Sequence, residues 1–156
     1  MATNRLFDPI SLMNENIAAN ATRRDPLPAG EVVAQIIEIS FSDGVSGPHT
    51  KAPGKPWNRL DAKLEITDPE YLSQVPGNPE KAVTTLGIML DMDGAAIKVG
   101  PNVNVRLGRL REATETNGKP LSMMVGRWIR IAIGHKPNPK DPESVLDEVV
   151  AYTKVE

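Results

Sequence analysis

The chain has 156 residues and no cysteine. It therefore has no disulfide, no thiolate zinc ligand and no cysteine nucleophile. Long apolar runs are missing too: the longest, 32–39, is broken by Gln35 and Glu38 and is far shorter than the ~18 residues of a membrane-spanning helix. The first residues lack the basic and apolar pattern of a secretory signal, so we expect a soluble protein of the reducing cytosol.

Residues typical of catalysis are scarce. His49 and His135 are the two histidines, and they are too few and too far apart to form a metal site. The carboxylates of Asp91 and Asp93 are a pair of the kind that holds magnesium, but Asp93 precedes a glycine and is explained as a turn. Gly54-Lys55 lacks the serine or threonine of a phosphate-binding loop. We predict no enzymatic activity, no cofactor and no metal.

Charge is unevenly distributed along the sequence. Residues 1–97 carry 8 basic and 13 acidic groups, whereas residues 98–140 carry 9 basic and 2 acidic groups. Residues 141–156 are acidic again. A basic segment inside a mildly acidic protein either forms a polyanion-binding surface or pairs with the flanking acids, and both alternatives stay open.

Most of the chain has the alternation and β-branched composition of strands. Five such segments are predicted: 31–41, 57–66, 82–91, 127–133 and 145–155. Between the third and fourth, Val103, Leu107 and Leu110 recur at helical spacing, with Pro101 at the expected start and Asn117 near the end. A short helical turn is predicted over 121–125. Residues 1–30 are predicted to form an extended arm, and 31–156 a single domain.

Two of the strands have faces that the pattern assigns directly. In the first, Val33, Ile37, Ile39 and Phe41 are expected to share the apolar side. In the second, Leu60 and the alternate residues after it are expected to face the core, with Trp57 and four charged residues on the other side. Segments 42–55 and 135–142, rich in glycine or proline, are predicted to be irregular loops.

A mainly β chain with a helix between its third and fourth strands has the element order of the OB-fold, a partly open five-stranded Greek-key barrel. Small β-sandwiches with the same spacing are the alternative.

Several short motifs carry a resemblance to a known family. They are Pro28-Ala29-Gly30-Glu31, Gly54-Lys55-Pro56-Trp57, Gly87-Ile88-Met89-Leu90-Asp91, the segment 104–113, and Ser122-Met123-Met124-Val125-Gly126. In this order, over roughly residues 25–155, they resemble a family of bacteriophage-encoded OB-fold proteins that bind single-stranded DNA or act in recombination. The resemblance implies a viral protein of DNA replication or recombination in the host cytoplasm.

Sequence-tolerant binding of single strands needs aromatic faces for the bases and cations for the phosphates. The second and the fourth predicted strands each carry a tryptophan with a cation two residues away, and the two predicted loops add further cations. The candidate nucleic-acid-binding residues are Lys51, Lys55, Trp57, Arg59, Lys63, Arg127, Trp128, Arg130, Lys136 and Lys140. Each tryptophan could instead cap the barrel core, and the lysines could be ordinary surface residues. Arg106, Arg109 and Arg111 on the helix either bind phosphates or cover its solvated side, and we favour the solvated side.

The expected ligand is single-stranded DNA, with RNA left open. The hypothesis from a different class is a structural or protein-interaction module whose N-terminal arm docks to a partner. Leu6, Phe7 and Ile10 are too apolar for a free tail. We therefore expect the arm to pack on its own barrel or on a second copy in a homo-oligomer, with phage replication or recombination proteins as further partners.

Overall fold

The computed structural model of the protein describes residues 25–155. The predicted arm residues Leu6, Phe7 and Ile10 lie outside this range. Within residues 25–155 there are seven strands, two α-helices and one 3₁₀ turn. Their order is β1 (Gly30–Val45), β2 (Pro56–Ile66), α1 (Pro69–Leu72), β3 (Ala82–Leu90), β4 (Met92–Asp93), β5 (Ala96–Ile97), α2 (Val105–Thr114), the 3₁₀ turn (Leu121–Met124), β6 (Trp128–Asn138) and β7 (Asp141–Lys154).

Five strands form one antiparallel sheet in the order β3-β2-β1-β6-β7. The two edge strands, β3 and β7, come into contact, and α2 packs against both of them and against β6. The sheet is therefore strongly curved, and the helix covers the side on which its edges meet. We call the boundary between β3 and β7 the seam. Among residues 25–155, no helix is long and apolar enough to cross a membrane.

The core lies on the concave face of this sheet. Every strand of the sheet and α2 contribute buried apolar side chains, among them Ala34, Ile36, Leu60, Leu64, Ile88, Leu110, Ile129, Ile131 and Val149. Alternation in β2 follows the prediction, since Leu60 and Leu64 point inward while Arg59 and Lys63 point outward. The predicted five main strands, the intervening helix and the short turn near 121–125 are confirmed.

The predicted apolar face of β1 is wrong in its first half. The structure buries Val32, Ala34 and Ile36 rather than Val33. A bulge explains the difference: Ile36 pairs with Leu64 and Glu38 with Lys63, so Ile37 has no partner opposite it on β2. One extra residue reverses which side chains face inward. Beyond the bulge, odd-numbered residues do lie on the concave side, but Phe41 is 58% exposed at the end of the strand.

Both predicted loops are shorter than expected. β1 continues to Val45, paired with Pro56, so the first connection covers only 46–55. In the second, β6 extends to Asn138 and β7 begins at Asp141, which places His135 and Lys136 in a strand. Glycine and proline weaken a strand prediction, but an antiparallel partner tolerates them near the end of a hairpin. Composition alone could not show that a partner strand was present.

The helix begins four residues later than Pro101 and ends before Asn117. Asn104, in a left-handed conformation with φ of 49°, precedes it, and its side-chain amide donates to the carbonyl oxygens of Asp91 and Lys98 at 2.9 and 2.8 Å. Its Oδ1 accepts from the Asp91 amide at 2.8 Å. These bonds tie the start of α2 to the end of β3. At the other end, Glu115 is also left-handed (φ 58°) and stops the helix after Thr114.

Residues 25–29 are fastened to the sheet by Leu27 and Pro28. Leu27 is buried, its amide donates to Asp147 Oδ2 at 2.8 Å, and its carbonyl oxygen lies 2.7 Å from His135 Nε2. The Tyr71 hydroxyl donates to the carbonyl oxygen of Pro28 at 2.7 Å. The end of the predicted arm that the structure describes therefore packs on its own domain.

This contact predicts an alkaline dependence of stability. Burial, and then the nearby Asp147 carboxylate, raise the pKa of Tyr71 from 10.0 to about 12. Because the folded-state pKa exceeds the unfolded one, the contribution is complete below pH 10 and is lost as pH rises towards 12. Denaturant unfolding from pH 7 to 11.5 should show a steeper loss of unfolding free energy above pH 10 in the wild type than in Tyr71→Phe.

At pH 7, Tyr71→Phe should cost about 1 kcal/mol through the lost hydrogen bond. Tyr152→Phe is the matched control at that pH, since it also removes one phenolic bond, to the Arg106 carbonyl oxygen at 2.8 Å. Parallel pH profiles for the wild type and Tyr71→Phe would contradict the assignment.

Candidate nucleic-acid interface

Trp57 lies on the convex face of the sheet, at the start of β2. It is directly opposite Gly44 of β1. A Cβ atom added to Gly44 would lie 2.5 Å from the Trp57 ring, so the ring rests against the glycine backbone. Only a glycine leaves room for this contact. The predicted outward position of Trp57 is confirmed, and its ring is half-buried rather than part of the core.

Arg59 follows on the same face and crosses towards β3. Its guanidinium carbon lies 5.5 Å from the centroid of the Trp57 ring, within cation–π range. A Cβ atom added to Gly87 would lie 3.1 Å from Arg59 Cδ. Because Gly87 has no side chain, the side chain of Arg59 can pass over it. Its Nε lies 2.7 Å from Asp61 Oδ1, although the N–H is not directed at that oxygen. The contact is therefore an ion pair without a well-aligned hydrogen bond.

Asp61 is held in turn by β1. Its Oδ2 accepts a hydrogen bond of 2.9 Å from Ser42 Oγ. Ser42 is the residue opposite Arg59 in the β1–β2 pairing. Trp57, Arg59, Asp61 and Ser42 thus form one connected surface at the end of the β1–β2 hairpin, and the orientation of Arg59 is set from three sides.

A cleft of about 480 Å³ opens at the seam, next to this surface. We call it the seam cleft. β2 and β3 form one wall, β6 and β7 the other, and the first turn of α2 closes one end. The residues that line it are Arg59, Asp61, Thr85, Leu86, Gly87, Met89, Arg106, Lys136, Asp147, Glu148 and Val149.

Three cations from three different elements meet in the seam cleft: Arg59, Arg106 and Lys136. Lys136 Nζ lies 3.6 Å from Glu148 Oε2, and Arg59 is paired with Asp61. For Arg106 no ion pair with another residue of the range 25–155 is found. The cleft also contains three carboxylates, so its cations are arranged individually rather than as a strongly positive surface.

Arg106 was not among the ten candidate residues. For Arg106, Arg109 and Arg111 we favoured the solvated side of the helix over phosphate binding. Arg106 and Arg109 are both exposed, as expected, and Arg111 donates from Nη1 to the carbonyl oxygen of Lys119 at 2.8 Å. Arg106 also lines the seam cleft. Arg106 is separated from Arg109 and Arg111 because it lies in the first turn, where the Tyr152 hydroxyl binds its carbonyl oxygen and holds the turn against β7. Helical spacing alone contains no signal for that position.

Most of the predicted nucleic-acid-binding lysines lie outside the seam cleft. Lys63 is exposed further along the convex face of β2, opposite Glu38 of β1 and Thr85 of β3. Lys51 and Lys55 are exposed in the 46–55 connection, and Lys140 is exposed in the turn between β6 and β7. Of the ten predicted residues, only Arg59 and Lys136 line the seam cleft, with Trp57 directly beside Arg59.

Trp128 is not brought together with Trp57. Trp128 lies opposite Gln35 and Trp57 opposite Gly44 on the same strand, β1. At ~3.3 Å per residue the two rings are about 30 Å apart along that strand. Arg130 shares the convex face of β6 with Trp128, while Arg127 precedes the strand. These three residues therefore lie outside the surface that Trp57 forms with Arg59 at the end of the β1–β2 hairpin.

The basic segment 98–140 does not form one surface. Arg106 and Lys136 line the seam cleft, whereas Lys98 and Arg111 border a groove beside α2. A third group surrounds the exposed Glu115. Its pKa is lowered chiefly by the hydrogen-bonded Lys154 and further by Arg127 and Lys119. Part of the segment pairs with flanking acids, as Lys136 does with Glu148. That a part of it binds a polyanion stays a prediction.

Among the described residues, no group of three or more acidic or histidine side chains is arranged to hold a metal ion. In comparisons with models of known protein families and with curated proteins, the chain matched none. The resemblance to phage single-strand-binding proteins therefore stays a prediction.

The position of Trp57 predicts how a truncation should behave. Trp57→Ala removes the contact with Gly44 and the cation–π contact with Arg59, which should cost about 1–2 kcal/mol of unfolding free energy. Leu60→Ala, three residues on and fully buried, is the matched core variant and should cost about 2–5 kcal/mol. Chemical denaturation measures both. A larger loss for Trp57→Ala than for Leu60→Ala would show that Trp57 is a core residue.

Proposed function

We propose that the protein binds single-stranded nucleic acid, with DNA as the expected ligand, at the seam cleft and the adjoining Trp57 surface. The observation that carries the proposal is the convergence of Arg59, Arg106 and Lys136 from β2, α2 and β6 beside a half-exposed tryptophan. Cations spaced around a groove suit the phosphates of one strand, and an aromatic face suits a base.

The topology supports this proposal. We propose that the curved sheet is an OB-fold: its strand order, the helix before the fourth long strand and the approach of β3 to β7 all suit a partly open barrel. OB-folds bind oligonucleotides on the face of their second and third strands, between the first hairpin loop and the last. In this chain that face carries Trp57, Arg59 and Gly87. The corresponding loops carry Lys51 and Lys55 on one side and Lys140 on the other.

The resemblance noted in the sequence adds a biological setting. It suggests a non-enzymatic viral protein that coats single-stranded DNA during phage replication or recombination in the host cytoplasm. Phage replication or recombination proteins are the proposed partners.

Both base stacking and phosphate contacts are expected to contribute to the free energy of binding. A base on Trp57 contributes about 1–3 kcal/mol. Phosphates must compete with Asp61 for Arg59 and with Glu148 for Lys136, because both cations are already paired. Arg106 has no such competitor within residues 25–155, so it should be the strongest single phosphate contact in the cleft.

The test compares two arginines on one helix. Arg106→Gln and Arg109→Gln remove the same charge, but only Arg106 lines the cleft. In titrations with oligo(dT) of 16 nucleotides at several salt concentrations, Arg106→Gln should weaken binding. It should also lower the slope of log Kobs against log[salt] by about 0.7, the value for one phosphate contact on a single strand. Arg109→Gln should leave both close to wild type.

Trp57→Ala should weaken the same binding about tenfold or more while the protein stays folded. Two results contradict the proposal. One is the absence of tryptophan quenching and binding at micromolar wild-type protein and low salt. The other is an equal effect of the two arginine substitutions, since binding would then follow net charge rather than the cleft.

A protein-interaction module is the second candidate, and a groove beside α2 favours it. Its walls include Val103 and Leu107, the basic residues Lys98 and Arg111 border it, and Val99 is 87% exposed. Exposed apolar side chains with a charged rim are typical of protein contacts. A wild-type protein that does not bind oligo(dT) at low salt would favour this candidate.

A further inference from the structure

The convex face of β6 forms a continuous strip that begins at the seam cleft. Trp128, Arg130 and Lys136 lie on this face together with the small residues Ala132 and Gly134, because residues two apart on a strand share a side. Ile129, Ile131 and Ile133 are buried on the other side, which confirms the alternation. Lys136 at one end of the strip lines the seam cleft, and Trp128 stands at the other end.

The strip is suited to a negatively charged chain. β6 contains no acidic residue from Trp128 to Asn138. On the neighbouring strands, the acidic residues opposite this face are Glu31, which pairs with Ala132, and Glu148, which pairs with Gly134. The remaining neighbours opposite the strip are Val33 and Gln35 on β1, and Thr153, Ala151 and Leu146 on β7. Val150 is the extra residue of a bulge in β7, and its exposed side chain lies 3.1 Å from where a Cβ of Gly134 would be, so an apolar group borders the middle of the strip.

The far end of the strip again combines an exposed ring with cations. Trp128 is 45% exposed, and Arg130 is exposed two residues on. Arg127, Lys119 and Lys154 all act on the carboxylate of Glu115, so three cations lie near one another there. A strand that passes Lys136 along β6 would meet a second stacking surface with phosphate ligands beside it.

From this arrangement we propose that the binding site is bipartite: the strand held in the seam cleft continues along the convex face of β6 to Trp128 and Arg130. This inference rests on the proposed function. Eight residues separate Lys136 from Trp128, or about 26 Å at ~3.3 Å per residue. At the ~3.4 Å spacing of stacked nucleotides, about eight more nucleotides are needed to cover that distance. A short oligonucleotide occupies the cleft alone, and a long one occupies both parts.

Length dependence tests the bipartite site. Oligo(dT) of 4 and of 16 nucleotides are titrated into wild type, Trp57→Ala, Trp128→Ala and Val99→Ala at low salt, with circular dichroism as the check on folding. Trp128→Ala should leave the affinity for the short oligonucleotide unchanged and weaken the long one about tenfold. Trp57→Ala should weaken both. Val99→Ala, which removes an exposed apolar side chain away from the strip, should change neither.

Single-tryptophan proteins give a second measurement. Trp57→Phe leaves Trp128 as the emitting tryptophan, and Trp128→Phe leaves Trp57, since the chain has two. Fluorescence of Trp128 should be quenched by the 16-nucleotide strand and not by the 4-nucleotide strand. Fluorescence of Trp57 should be quenched by both.

The outcomes separate the two proposals. If the wild-type protein binds neither oligonucleotide, both the proposed function and the bipartite site are contradicted. If Trp57→Ala weakens binding but Trp128→Ala changes neither affinity, and Trp128 emission does not respond, the seam cleft stands and the bipartite site is overturned. Equal weakening of both lengths by Trp128→Ala also overturns it, because a four-nucleotide ligand in the cleft does not reach β6's far end.

Discussion

The pairing of β1 on both of its edges is the constraint on which the rest of the structure depends. β1 is the central strand, with β2 on one side and β6 on the other. Its bulge at Ile37 changes which residues face the core without interrupting the sheet. All the residues that pair with β6 precede the bulge, and most of those that pair with β2 follow it. A one-residue slip would exchange core and surface over half the strand.

That register also places the candidate site. It sets Gly44 opposite Trp57, so that the ring has a flat surface to rest on. The pairing of β2 with β3 sets Gly87 opposite Asp61, so that Arg59 can cross towards the seam. Two glycines on the strands beside β2 thus orient the aromatic ring and the cation. The other wall of the cleft depends on the hairpin of β6 and β7, which carries Lys136 across from Arg59.

Much of the fold and part of the site were predictable from local pattern. Alternation in β2 identified both faces of the strand and placed Trp57 and Arg59 outside the core, because charged side chains at Arg59 and Lys63 exclude the opposite assignment. The same method failed in β1, where a bulge interrupts the period, and at 135–138, where a partner strand supports a segment with proline. Neither feature has a signal within a single strand.

The amino-acid sequence by itself determined the number and order of the long strands, the place of the helix and the outward position of Trp57. These follow from side-chain periodicity, which is a property of neighbouring residues. Only the tertiary structure decided that Arg106 joins Arg59 and Lys136, that Trp128 lies far from Trp57, and that the basic segment divides among three surfaces. Those facts depend on sheet curvature and on pairing between residues distant in the chain. The periodicity of side chains within one segment carries no information on either.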